Sequence, residues 1–338
     1  MCRLLHLLSL SGLFFFTSFS VQAEELSTPE FRIPLECEVP SECVVQNYMD
    51  VRPGPGVRDF NCGTLSYERH KGTDFRVLDY ASYERGVPVL AAADGTVLRL
   101  RDGEVEGDYL RQGKEAVKAI EGGNGVVVQH KGGWQTLYAH LKRGSIKVSV
   151  GDKVKAGDSL GVVGLSGKTE FTHLHFQVIH NNKIYDPYIG TIAAGCQNRL
   201  KKSFWNDSDL KKLKYIGTGL VEANFSSEIP VYKQLPFSDE RKRISLRKDA
   251  EVLIYWMEAW GVKTADRLTM TYTDPSGKVS TDQKILKKNQ ASYFKYLGKR
   301  KGITGWMKGK YKGQVILERI IEGRWEVVFS KNSEITMH

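Results

Sequence analysis

Short apolar runs separated by glycine turns set the rhythm of the chain between residues 88 and 165. Pro88–Ala93, Gly95–Leu100, Gly125–Gln129, Trp134–Leu141, Ser145–Val150 and Ser159–Leu165 each read as a strand bounded by turn residues. Val150 to Gly157 carries two turn signals around a small strand. His173–Ile179 alternates polar and apolar positions, which predicts a strand with His173, His175 and Gln177 on one face. In Trp134–Leu141 the same period puts Trp134, Thr136, Tyr138 and His140 on one face, expected to line a cleft. Leu137, Ala139 and Leu141 fall on the other face, expected to pack inward. Arg101–Gly123 is polar and glycine-punctuated, and reads as a long surface loop with a helical turn near Glu115–Ile120. Beyond residue 200 the strand pattern resumes in Glu251–Trp256, Arg267–Tyr272, Gly313–Ile321 and Trp325–Phe329, with a strong turn at Asp274-Pro275-Ser276-Gly277. The chain is therefore expected to be all-β, ending in a β-sandwich of about seven strands, immunoglobulin-like in kind. Trp256, Trp260, Trp306 and Trp325 suit its core better than a ligand platform.

The first residues break this pattern. Arg3 supplies a positive start, Leu4–Phe19 is largely apolar, and Val21-Gln22-Ala23 has a small-x-small cleavage pattern. The apolar run is short and interrupted for a membrane span. A signal peptide over 1–23 is expected, with an exported, periplasmic protein beginning near Glu24. Four cysteines then remain, Cys37, Cys43, Cys62 and Cys196. An even count in an exported chain predicts two disulfides and leaves three connectivities open. Cys37–Cys43, turned by Pro40, with Cys62–Cys196 tying the start of a domain to its end, is the favoured arrangement.

Charge divides the chain. Residues 201–338 hold 27 Lys and Arg against 16 Asp and Glu, a balance of +11, while the whole chain is +10. The expected organisation is an extended lead-in over 24–62, Pro- and Gly-rich around Val51–Gly56, a first domain over 63–200 and a basic β-rich domain over 201–338. The basic domain is expected to meet an anionic envelope polymer rather than nucleic acid, for which no motif is present.

Three segments carry candidate chemistry. His173 and His175 on one strand face would have Cα atoms roughly 6.5 Å apart, close enough to meet at one metal ion. His70-Lys71-Gly72-Thr73-Asp74 places a histidine and a carboxylate roughly 13 Å apart if fully extended, so a shared metal requires a bend, which Gly72 permits. Tyr138-Ala139-His140-Leu141 adds a third histidine. His130, His180 and Asp94 read as turn residues.

His-x-Gly-x-Asp, then Tyr-Ala-His-Leu, then His-Leu-His-Phe, in that order, resembles the lysostaphin/LytM-type zinc metallo-endopeptidases that cut peptidoglycan cross-bridges. Asn124-Gly125 and the Val150–Gly157 turn segment add to the likeness, which covers about residues 63–187. The resemblance implies a small antiparallel β-sheet catalytic domain, akin to a duplicated hybrid motif, and one catalytic zinc ion. It implies His70, Asp74 and His175 as zinc ligands, His140 and His173 as catalytic residues, and Tyr138 and Asn124 as substrate-binding residues. Two histidines and one carboxylate leave a fourth coordination position open, as catalytic zinc sites do. Two departures stand out: Gln177 replaces a frequent glutamate, and the Arg101–Gly123 loop is long. The competing reading is a non-catalytic protein of the same fold that binds and activates another cell-wall hydrolase. Such proteins lose ligand residues, and here every position is filled.

Overall fold

A computed structural model describes residues 28–338 except 79, 193–194, 197–201, 231–244 and 304. The expected signal peptide, 1–23, lies outside the described residues. In chain order the first part contains β1 (Cys43–Asn47), β2 (Thr73–Val77), α1 (Tyr80–Arg85), β3 (Pro88–Leu90), β4 (Gly95–Arg101), α2 (Asp108–Gln112), β5 (Asn124–Gln129), β6 (Trp134–Leu141), β7 (Lys153–Val154), β8 (Ser159–Val162), β9 (His173–His180) and β10 (Lys183–Tyr185). The second part contains α3 (Asp207–Lys212), β11 (Gly219–Ser226), β12 (Ser245–Leu246), β13 (Val252–Val262), β14 (Arg267–Thr273), β15 (Val279–Ile285), β16 (Gln290–Arg300), β17 (Gly309–Ile321) and β18 (Arg324–Met337). The chain is almost wholly β. Among the described residues no helix is long and apolar enough to cross a membrane.

The first part is built on an antiparallel sheet ordered β1-β2-β9-β6-β5-β4-β7, with β10 also paired to β9. One face is apolar. Phe75, Leu174, Phe176, Val178 and Tyr138 lie there, in the cluster that also holds Phe31 and Trp205. The Phe176 ring touches Phe31 at 5.9 Å and Trp205 at 5.4 Å between centroids. The opposite face carries the polar partners of the same strands. Asp74 pairs with His175 and Arg76 with His173 across β2 and β9. The strand period read from the sequence thus holds on β9.

It does not hold on β6. Register pairs Tyr138 with Phe176 and Ala139 with His175, so Tyr138 shares the core face and Ala139 the polar face. From Trp134 to Ala139 the two faces are the reverse of those expected, whereas Leu141 packs in the core and His140 faces the polar side, as expected. One further departure concerns local pairing. Ser145–Val150 is irregular chain rather than a strand, and Lys147 N reaches Leu160 O as an isolated bond. Within the lead-in, β1 forms the edge of the main sheet and all its residues are buried. His130 and His180 each flank a hairpin turn, as expected, but both are buried: His130 packs on the Phe31 ring and His180 stacks on Trp134.

The second part is a β-sandwich. Sheet β11-β13-β16 faces sheet β12-β18-β17-β14-β15 across a core that includes Phe225, Tyr255, Met257, Met270, Val315 and Leu317. β13 is buried on both faces, which explains its nearly continuous apolar sequence. Its odd-numbered residues Tyr255, Met257 and Ala259 enter the sandwich core. Trp260, on the other face, joins the core of the first part, and Glu258 reaches Arg76 on β2. Trp256 and Trp260 are core residues, whereas Trp325 is partly exposed with the Arg267 guanidinium over its ring.

Both expected disulfides are present. Cys37–Cys43 closes a local loop and Cys62–Cys196 spans 134 residues, with Cα separations of 6.2 and 5.2 Å. Loop closure of that length removes entropy from the unfolded chain. Replacing Cys62 and Cys196 by serine should therefore cost about 3–5 kcal/mol of stability. The denaturant midpoint of the double variant against wild type measures this, and an unchanged midpoint would refute it.

Candidate metal centre

Three donor atoms converge on the polar face of β2 and β9. Asp74 Oδ1 lies 3.0 Å from His70 Nε2 and 2.9 Å from His175 Nδ1, and the two imidazole nitrogens are 3.2 Å apart. The bend anticipated at Gly72 brings His70 back onto Asp74. Gly72 is needed here for space, because a Cβ would stand 2.7 Å from His175 Nε2 and 2.6 Å from Phe176 O.

The surrounding contacts assign the protons. His70 Nδ1 donates to the Tyr48 carbonyl at 2.7 Å, since a carbonyl can only accept. In the neutral ring Nε2 then carries a lone pair, aimed at a carboxylate oxygen. Lone pairs that close repel unless a cation sits among them. A tetrahedral ion with bonds of about 2.0–2.1 Å has ligand–ligand edges of about 3.3 Å, close to the separations observed. The set therefore fits a small divalent metal such as zinc, with His70 Nε2, Asp74 Oδ1 and His175 Nδ1 as donors. Asn47 Nδ2 holds the other carboxylate oxygen of Asp74 at 3.2 Å, which fixes its orientation. Burial pushes the Asp74 carboxyl up, but His70, His173 and His175 around it hold it well below the usual carboxylate range.

His140 and His173 stand beside this cluster, their ring centroids 4.7 Å apart. His140 reaches the site by a β-bulge. Pairing between β5 and β6 slips from Asn124↔Leu141 to Gly125↔Ala139, leaving His140 unpaired with φ 65°. The extra residue turns the histidine away from the face its neighbour Tyr138 occupies. His140 Nδ1 donates to the Ser166 carbonyl at 2.8 Å, and His173 Nδ1 to the Phe171 carbonyl at 2.9 Å. Each neutral ring is thereby fixed as the tautomer with a lone pair on Nε2. His173 Nε2 lies 3.5 Å from Asp74 Oδ1. Burial lowers the pKa of both rings; for His140 the neighbouring His173 and His175 add to it. Burial thus favours the neutral form of both rings.

The five residues singled out for metal and catalytic roles are brought together. The two expected to bind substrate are not placed for it. Tyr138 is fully buried on the core face, and its hydroxyl accepts from Ala92 N at 2.8 Å. Asn124 is also fully buried: Oδ1 accepts from Glu104 N, and Nδ2 donates to the carbonyls of Glu104 and Leu141. Asn124 pins the long loop to the bulge, which makes it a support for His140. Several contributors were not read from the sequence, namely Asn47, the Tyr48 and Ser166 carbonyls, and Thr169, whose hydroxyl is 3.0 Å from His173 Nδ1. Main-chain acceptors have no side-chain signature, so no motif marks them.

Residues 68–187 match the model of Peptidase family M23. An uncharacterized metalloprotease of Buchnera aphidicola subsp. Baizongia pistaciae is 32% identical over 128 residues, which are 38% of this chain and 28% of that protein. The peptidoglycan DD-endopeptidase ShyB of Vibrio cholerae is 31% identical over 137 residues, 40% of this chain and 26% of that protein. Among solved structures, the catalytic domain of lysostaphin from Staphylococcus simulans is 26% identical, covering 42% of this chain and 85% of that one with a TM-score of 0.27. The chain thus spans little more than a quarter of the length of the two curated relatives. All five clustered residues lie inside the segment, residues 68–187, that matches the model of Peptidase family M23.

Proposed function

We propose that this chain is a zinc-dependent endopeptidase of the cell envelope that hydrolyses peptide cross-links of peptidoglycan. The convergence of His70, Asp74 and His175 within 3.2 Å, with His140 and His173 fixed beside them, carries the reading. The match to Peptidase family M23 and the likeness to peptidoglycan DD-endopeptidases of Vibrio cholerae support the substrate class. The signal-like segment over 1–23 supports export to the periplasm. The filled ligand set favours an enzyme over a regulator of another hydrolase.

When bound, zinc supplies Lewis acidity toward the scissile carbonyl and lowers the pKa of a water to about 7. His140 and His173 do the remaining work. A neutral ring accepts a proton from the attacking water on Nε2, because Nδ1–H is held by a main-chain carbonyl. Once protonated it can donate to the developing oxyanion or to the departing amine. Two rings let one group act as base while the other donates.

The test is incubation of the purified protein with sacculi of several chemotypes, followed by mass spectrometry of released muropeptides. Loss of cross-linked species is expected. Zinc bound with no change in cross-linking on any chemotype would overturn the enzyme reading. A further expectation concerns Gly72→Ala. The added methyl must displace the His175 ring, so metal affinity should fall about 10–100-fold, as for other changes that disturb the support of a ligand. Metal content after dialysis against a weak chelator checks it, and undiminished retention would refute it.

A further inference from the structure

We propose that Glu258, on the sandwich, is a positioning residue for His173 and acts through Arg76. The proposal rests on the endopeptidase reading of the site and extends it to a residue outside the matched segment. Arg76 follows Asp74 by two residues on β2 and so shares its face, directly across from His173. Its guanidinium is almost fully buried, with only 3% of the residue exposed. Nη1 donates to Gln46 Oε1 at 2.8 Å and Nη2 to Glu258 Oε1 at 2.5 Å. The Arg76 Cζ lies 4.7 Å from the centroid of the Phe171 ring. Phe171 in turn holds His173 twice. Its ring centroid is 4.6 Å from the imidazole centroid, and its carbonyl accepts the Nδ1 proton. Contacts thus run without a gap from Glu258 through Arg76 and Phe171 to the ring proposed to move the proton.

The physical need for Glu258 is charge. A buried guanidinium requires a counter-ion, and here it lies beside a site that is to hold a divalent cation. The Asp74 carboxylate is committed to His70 and His175. Glu258 is itself buried and faces Glu222 across the β11–β13 pair, so each charge is placed where the other is required. Glu258 therefore fixes where the guanidinium sits, and the guanidinium fixes the Phe171 ring and carbonyl. By this account the sandwich completes the rear wall of the active site and is more than a wall-binding appendage.

The experiment uses the full chain. Glu258→Gln keeps an acceptor in place and removes the charge. Its kcat on a soluble cross-linked muropeptide should fall roughly 10–100-fold through misplacement of a catalytic ring. KM should stay within about twofold, as for loss of an interaction that acts in the transition state. Zinc content should not change. The His173 ring signals in a 15N-histidine NMR spectrum, assigned with His173→Ala, should be displaced. Arg76→Met combined with Glu258→Met replaces the pair by apolar groups that can pack without an orphaned charge. This double variant should keep the low kcat, because support of Phe171 is not restored. Wild-type kcat and an undisplaced His173 signal in Glu258→Gln would overturn the proposal. So would losses in Arg76→Met and Glu258→Met, each made singly, that multiply in the double variant. If Glu258→Gln does not fold, the double variant decides: wild-type kcat with undisplaced His173 signals refutes the idea. If the wild type cleaves no muropeptide, the endopeptidase reading fails, while the histidine spectra still decide whether Glu258 positions His173.

Discussion

Asp74→Ala is expected to lose its zinc and, with it, all measurable cleavage of cross-linked muropeptides. Asp74 is the hub of the cluster, within 3.5 Å of ring nitrogens of His70, His173 and His175. Its removal takes away one of three protein ligands and the only carboxylate among them. Loss of a ligand should cost more than the roughly 10–100-fold in metal affinity typical of outer-shell changes. His175→Ala should behave alike. Asp74→Asn separates charge from shape, because the amide keeps the contact with Asn47 within reach yet cannot bind the metal as an anion. Removing zinc with a chelator should abolish wild-type activity and zinc should restore it, whereas none of the three variants should be restored at the same zinc concentration. Metal content measured on each purified variant is the check. Full zinc occupancy in Asp74→Ala would show that the proposed donor set is wrong.

Replacing His140 or His173 should fail in a different way. Neither ring nitrogen is part of the three-atom donor set, so zinc should remain bound in His140→Ala and His173→Ala. Activity should fall by about 10²–10⁴-fold, the range for loss of general acid–base assistance. If the two rings act as one proton-handling unit, the double variant should be little worse than either single one. Turnover at saturating substrate, with zinc measured on the same samples, tests this. Loss of zinc from His173→Ala with retention by His175→Ala would preserve the enzyme class and reverse the division of roles within His173-Leu174-His175.

The two largest effects rest on residues in three short motifs, which were given their roles by the resemblance that the motifs carry together and not by any one segment alone. His173 and His175 share a strand face by period alone, and Gly72 marks the bend that returns His70 to Asp74. Period alone failed on β6. Tyr138 and His140 are two apart and should face the same way, but the bulge at His140 inserts a residue and separates them. A bulge depends on how β5 pairs with β6, and pairing register is a non-local quantity. The same reason removes Tyr138 and Asn124 from the expected substrate contacts. A tyrosine and an asparagine near a motif look available until the neighbouring strand and loop bury them.

The resemblance of three ordered motifs to a known family assigned the five residues of the candidate centre, whereas composition, turn residues and alternation by themselves determined an all-β chain, the basic excess after residue 200, the pairing favoured for the four cysteines and the strand face shared by His173 and His175. Each follows from residue type and spacing over a few positions. Only the tertiary structure decided which face of β6 meets the core, that β1 belongs to the main sheet, and which carbonyls set the imidazole tautomers. It also decided that Glu258 reaches Arg76, 182 residues away in sequence. Those features depend on contacts between distant segments, and a contact of that kind leaves no trace in either segment read alone.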